Sequence, residues 1–222
     1  MNYPVICALD TSNLRQAMQW LEELNDEIDI VKIGPEFFTS AGLYGLLAIT
    51  QKTNVFLDLK FHDIPNTVSK TIQNFQQFRN IKMLTIHASG DAEMIKCAVE
   101  AAEKIDVIAV TVLTSTREKL DTIEEVKRLT EKALSNNAAG IVCSSHEVKI
   151  LREEFGNDFK IVVPGIRPSW YALEDDQSRT GTPLETLKDG ADYIVIGRPI
   201  TSSDNIYEAS TKVINEIRNQ IT

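Results

Sequence analysis

The segment VFLDLK, Val55 to Lys60, consists of four apolar side chains broken by one acid and closed by one base. A near-continuous apolar run of this length fits a strand covered on both faces, as in a parallel sheet. Similar Val/Ile-rich runs occur on either side of it: VICALD (5–10), DIVKIG (29–34), MLTIHA (83–88), VIAVTVL (107–113), GIVCSS (140–145), KIVVPG (160–165) and YIVIGR (193–198). That makes eight, and their starts lie 20 to 33 residues apart, room for one helix and two loops each. Helical patterning fills several of the intervals: 13–24, 67–78, 92–104, 122–134, 145–154 and 206–217. Capping chemistry of the S/T-x-x-E form begins at Thr122, Ser144 and Thr182, the last with Pro183 in the first turn. The pattern predicts the α/β class, a single (β/α)8 TIM barrel spanning 1–222. A doubly wound open sheet is the alternative, but it would usually have fewer strands and a switch point.

Composition narrows the possible functions. The chain has 222 residues, 43% apolar and 25% charged, with a net charge of −9. An acidic chain without a basic face is no general nucleic-acid or membrane-surface binder. A few placed Arg residues can still bind a small phosphorylated substrate. Cys7, Cys97 and Cys143 are far apart and odd in number, so free thiols in a reducing compartment are expected. His62, His87 and His146 show no metal-ligand spacing. MNYPVICALD runs into a strand-like segment without a basic flank or cleavage site, and no long apolar span occurs. No signal peptide or membrane helix is expected, and the cytoplasm is the expected location.

In such a barrel the chemistry lies at the C-terminal ends of the strands. The polar residues there are Asp10, Lys32, Asp58, Lys60, His87, Thr114, Ser115, Ser144, Arg167, Gly197 and Arg198. Each alone has an ordinary structural explanation, as a helix cap or a rim charge. Together they form a polar ring at one end. The densest part is DLKFHD (58–63). Strand alternation turns Asp58 and Lys60 to one face and Leu59 to the helix layer, with Asp63 beyond on the loop. Carboxylates around an ammonium allow either a divalent-metal site or a metal-free one, in which Lys is held protonated to deliver a proton. Spacing alone leaves both open, and Lys32 on the neighbouring strand tilts against a metal cage. Gly197-Arg198 after the last strand is where barrels often bind phosphate. The irregular stretch 164–181 is long enough to serve as a lid.

DLKFHDIPNT (58–67) resembles the signature of the orotidine 5′-monophosphate decarboxylase family. The resemblance extends along nearly the whole chain through ALD (8–10), VKIG (31–34), IHASG (86–90), VTVLTS (110–115), VPGIRP (163–168), DQSRTGTP (176–183) and YIVIGRPIT (193–201). It implies decarboxylation of orotidine 5′-monophosphate to UMP and CO2 without metal or organic cofactor. It implies that Lys60 protonates the carbanion and Asp58 faces the substrate carboxylate. Lys32 and Asp58 would hold Lys60, while Asp10 and Lys32 would contact the ribose. Thr114 and Ser115 would lie by the pyrimidine. Arg167 and Gln177 would belong to the mobile loop, and Gly197 and Arg198 would grip the phosphate. It further implies a homodimer in which Asp63 and Thr67 reach the partner's site. Two positions depart from the family pattern: Asp91 and Asp175 stand where Gly is common. The rival readings are a magnesium-dependent sugar-phosphate lyase, such as 3-hexulose-6-phosphate synthase or 3-keto-L-gulonate-6-phosphate decarboxylase, and a barrel that binds a phosphorylated ligand without turnover. IPNT (64–67) and Gln177 favour the nucleotide enzyme.

Overall fold

The computed structural model describes residues 3–113, 122–171 and 181–221. Eight strands close into a barrel in sequence order. They are β1 (Val5–Ala8), β2 (Ile30–Ile33), β3 (Asn54–Phe61), β4 (Ile81–His87), β5 (Asp106–Val110), β6 (Gly140–Val142), β7 (Lys160–Val163) and β8 (Tyr193–Ile196). Each pairs in parallel with the next, and β1 closes on β8 through Val5 opposite Ile194. The predicted runs therefore match the strands. Strands β1, β6, β7 and β8 stop short of Asp10, Ser144, Arg167 and Arg198, which follow the strand ends.

Alternation along the strands builds two apolar layers. Ile6, Ile30, Phe56, Met83, Ile108 and Val162 are among those filling the barrel interior. Cys7, Val31, Val55, Leu57, Leu84 and Ile161 pack outward against the helices. Both layers exclude water almost completely. Burial at about 25 cal/mol per Å² of apolar surface makes this the dominant stabilising term.

The helices are α1 (Leu14–Glu23), α2 (Pro35–Thr50), α3 (Pro65–Phe75), α4 (Ala92–Ala102), α5 (Thr122–Ser135), α6 (Val148–Phe155), α7 (Pro183–Lys188), α8 (Arg198–Thr201) and α9 (Ile206–Ile221). Four results differ from the sequence expectations. Helix α2 has no counterpart among the predicted helices. Its apolar residues spread around the axis instead of forming one stripe, and Gly42 breaks it with a φ of +57°. Helix α3 starts at Pro65, whose ring suits the first helical position, and ends at Phe75, three residues before the expected Phe78. The expected helix 145–154 divides into a 3-10 turn (Ser145–Glu147) followed by α6. The short α8 was not among the predicted helices.

Local chemistry explains several ends. Asp91 caps α4, its carboxylate accepting from Met94 N at 2.7 Å, so this departure from the family pattern starts a helix. Thr182 caps α7 by accepting from Glu185 N at 3.3 Å. The Glu147 carboxylate reaches back to Ser144 N at 2.8 Å. The residues before Thr122 that would complete its cap, and Asp175, lie outside the described residues.

Away from the mouth, one side chain ties several segments together. Arg152 on α6 donates to Gly190 O at 2.9 Å, to Gly156 O at 3.2 Å and to Phe159 O at 2.9 Å. It also pairs with Asp192 at 2.6 Å, and its guanidinium lies over the Phe159 ring, 4.7 Å from the centroid. Asp192 in turn accepts from Ile161 N at 2.7 Å. The α6–β7 turn and the entry to β8 are therefore joined through one planar cation.

Candidate active site

A chain of alternating charges runs across the mouth from β1 to β3. Lys32 Nζ lies 2.7 Å from Asp10 Oδ1 and 3.9 Å from Asp58 Oδ2. Lys60 Nζ lies 2.8 Å from that same Asp58 oxygen. The Asp58 side chain is only 13% exposed. A carboxylate so enclosed is stable as an anion only because cations and hydrogen-bond donors surround it. Position 34 is part of this arrangement. A Cβ added at Gly34 would fall 3.1 Å from Lys32 Nζ and 3.2 Å from Asp10 Oδ1, crowding the pair.

Simple alternation does not explain how Asp58 and Lys60 meet. The β3–β4 register jumps: Leu57 is opposite Leu84, yet Phe61 is opposite Ile86. Between them Asp58, Leu59 and Lys60 face Thr85 alone, so β3 bulges. Lys60 sits in the left-handed region with φ +52°, which costs a non-glycine residue about 1–2 kcal/mol. Strain of this kind persists only where surrounding contacts impose it. Leu59 does pack against the outer apolar layer, as expected.

Beneath and around the charges lies a cavity of about 530 Å³. Its apolar floor includes Phe56, Val110, Val162 and Val195, and its polar wall includes Asp10, Lys32, Asp58, Lys60, Arg167 and Arg198. Gly197 also lines it. A pocket of this size, with an apolar floor and a few convergent charges, suits a small charged ligand. Glu36 at the start of α2 and Thr201 in α8 line it as well. Neither was expected, because neither closes a strand. Arg167 is set by the stretch that follows β7, its N–H donating to Gly181 O at 2.9 Å beside the Ile166–Gly181 bridge.

Some expected residues stand elsewhere. Asp63 and Thr67 are exposed and do not line the cavity. The Asp63 carboxylate accepts from Ile64 N at 2.7 Å, and among the described residues it makes no ion pair with Lys60. Ser144 is buried at the α6 entry and does not line the cavity. His87 faces His62 instead, with ring centroids 5.5 Å apart. Burial lowers the His87 pKa most, with the positive partners His62 and Lys60 adding to the effect and Asp58 opposing it. On β1, burial and then the Asp10 charge push the Cys7 thiol up to about 12, so it stays neutral. No disulfide joins Cys7, Cys97 or Cys143. Thr114, Ser115 and Gln177 lie outside the described residues. Among those described, no group of three or more His, Cys, Asp or Glu is placed to hold a metal ion. No helix among them is long and apolar enough to cross a membrane.

A closed parallel barrel with a charged, partly buried cluster and an anion-suited rim at its C-terminal mouth is the architecture of a barrel enzyme. The family model described as "Orotidine 5'-phosphate decarboxylase / HUMPS family" matches residues 3–213, and the chain belongs to this family. The orotidine 5'-phosphate decarboxylase of Wolbachia pipientis subsp. Culex pipiens is 41% identical, over 96% of this chain and 98% of that relative. The Ehrlichia canis protein of the same name is 42% identical, over 96% and 97%. The crystal structure of orotidine 5'-phosphate decarboxylase from Lactobacillus acidophilus superposes with a TM-score of 0.84 at 35% identity, over 97% of this chain and 99% of that one.

Proposed function

We propose that this chain decarboxylates orotidine 5′-monophosphate to UMP and CO2, the last step of de novo UMP synthesis, without metal or cofactor. The observation that carries the reading is the Lys60–Asp58–Lys32–Asp10 chain at the mouth, in a protein about two-fifths identical along its length to decarboxylases of that name.

The chemistry follows from the charges. The bond between the pyrimidine carbon and the carboxylate breaks, CO2 leaves, and the electron pair stays on the ring carbon. Lys60 Nζ donates a proton to that carbon, giving UMP and a neutral amine that solvent reprotonates. Asp58, beside the substrate carboxylate, repels it and so favours its conversion to neutral CO2. That repulsion eases as charge leaves the carboxylate, and Lys32 and Lys60 flank Asp58 at 3.9 and 2.8 Å. Asp10 and Lys32 bind the ribose, and Thr114 and Ser115 lie by the base. Gly197 and Arg198 hold the phosphate, with Arg167 and Gln177 closing over it. Phosphate binding far from the reacting carbon supplies the energy for that closure.

We assign the enzyme to a homodimer in the cytoplasm, with Asp63 and Thr67 completing the partner's site. The Asp63 carboxylate is engaged by Ile64 N and not by its own Lys60, and Ile64 is 65% exposed, as expected of a loop that a second copy covers. Mixing inactive Lys60→Ala protein with inactive Asp63→Ala protein should restore part of the activity through heterodimers. No restoration, with subunit exchange verified, would return Asp63 to its own site.

The decisive assay is loss of orotidine 5′-monophosphate absorbance on adding purified protein, with and without EDTA. Conversion to UMP unaffected by EDTA is the expected result. A folded protein that fails to convert it, yet acts on a sugar phosphate only with magnesium, would favour the second branch named in the family description.

A further inference from the structure

We propose that Thr85 is a positioning residue for the reaction, a hydroxyl clamp that holds both Lys60 and Asp58 in working geometry. The inference rests on the decarboxylase reading for its activity arm and on geometry for the rest. Thr85 stands on β4 opposite the bulge and is fully buried. Its Oγ1 accepts from Lys60 N at 2.8 Å and donates to Asp58 Oδ1 at 3.0 Å. A hydroxyl has one proton to give and lone pairs to receive, so one side chain meets both demands.

Both demands arise from the bulge. The jump in register deprives Lys60 N–H of the backbone carbonyl a regular ladder would supply, and a buried unpaired N–H is costly. Thr85 supplies that partner, and so stabilises the left-handed backbone of Lys60. Its other bond fixes the second oxygen of Asp58, since Oδ2 already accepts from Lys60 Nζ at 2.8 Å. The backbone of the proton donor and the carboxylate that holds its ammonium are thereby tied to one point on the neighbouring strand. Proton transfer to carbon is sensitive to such placement, where a displacement of about 1 Å can cost on the order of a hundredfold in rate.

The test compares Thr85→Val, which keeps the β-branched shape and loses both bonds, with Thr85→Ser, which keeps the hydroxyl. For Thr85→Val we expect kcat to fall about 10- to 100-fold and KM to change less than about threefold. Thr85→Ser should remain within about fivefold of the wild type. A folded Thr85→Val protein with kcat within about twofold of the wild type, or a Ser variant as impaired as Val, would overturn the clamp. Should Val not accumulate as folded protein, Thr85→Ala makes the same deletion. Hydrogen exchange of the Lys60 amide, followed by NMR, needs no activity. We expect protection in the wild type and Thr85→Ser, and exchange at least about tenfold faster in Thr85→Val. Equal protection in wild type and Val would overturn the proposal. An inactive wild type that keeps this exchange pattern would remove the decarboxylase reading and leave the clamp supported.

Discussion

Replacing Lys60 by Ala is expected to lower turnover of orotidine 5′-monophosphate by at least about a thousandfold while leaving a folded barrel. General acid catalysis contributes roughly 10²–10⁴-fold, and Lys60 is the ammonium proposed to reach the reacting carbon. Lys32, which Asp10 engages at 2.7 Å, is the ammonium proposed to contact the ribose instead. The fold should survive because the side chain is a partly exposed group on a bulge, not part of either apolar layer. Asp58 loses its close cation but keeps the Thr85 hydroxyl and, at 3.9 Å, Lys32. Initial rates at saturating substrate, with circular dichroism and thermal melting as controls, check this. A folded Lys60→Ala protein with more than about one hundredth of wild-type kcat would remove Lys60 as the proton donor.

The second large effect is on stability. Arg152→Ala should destabilise the barrel by about 2–4 kcal/mol, because three carbonyls and Asp192 lose one shared donor whose own side chain is only 11% exposed. The loss of the cation over Phe159 adds to this. For a chain of this size that is a fall in Tm of roughly 5–15 °C. Arg152→Lys should recover only a small part, since a single ammonium cannot span the acceptors that the fork reaches. Denaturant unfolding of the three proteins measures the differences, and an unchanged midpoint for Arg152→Ala would show that the carbonyls find other partners. Catalysis in the surviving folded fraction should be near normal, because Arg152 does not line the cavity.

These two residues also illustrate what a sequence reveals and what it conceals. The strands were legible because parallel strands buried on both faces must be apolar almost throughout, and eight such runs stand out against polar intervals. The mouth was legible because charges directly after those runs have no ordinary place in a core. Helix α2 was not, since a helix with apolar groups on all sides carries no periodic signature. The bulge was not either, because register belongs to a pair of strands and β3 alone does not encode it. Thr85 follows Met83, an interior residue, by two positions, so alternation aims it inward. A lone Thr in a strand nevertheless reads as a β-branched filler. Arg152 looked like any charge on an amphipathic helix until the turn and β8 closed around it. Asp63 was recognised from its motif, and the site proposed for it belongs to a second copy of the chain, away from the cavity of its own barrel.

The packed interior has a consequence for traffic. Phe56, Met83, Ile108 and their neighbours plug the barrel below Asp58, so the cavity ends there instead of passing through the barrel, and the mouth is its doorway. Under the proposed function, nucleotide, product, carbon dioxide and the proton that would recharge Lys60 must all use that opening. Whatever stoppers the doorway halts supply and disposal at the same moment, and no step can be relieved through the back.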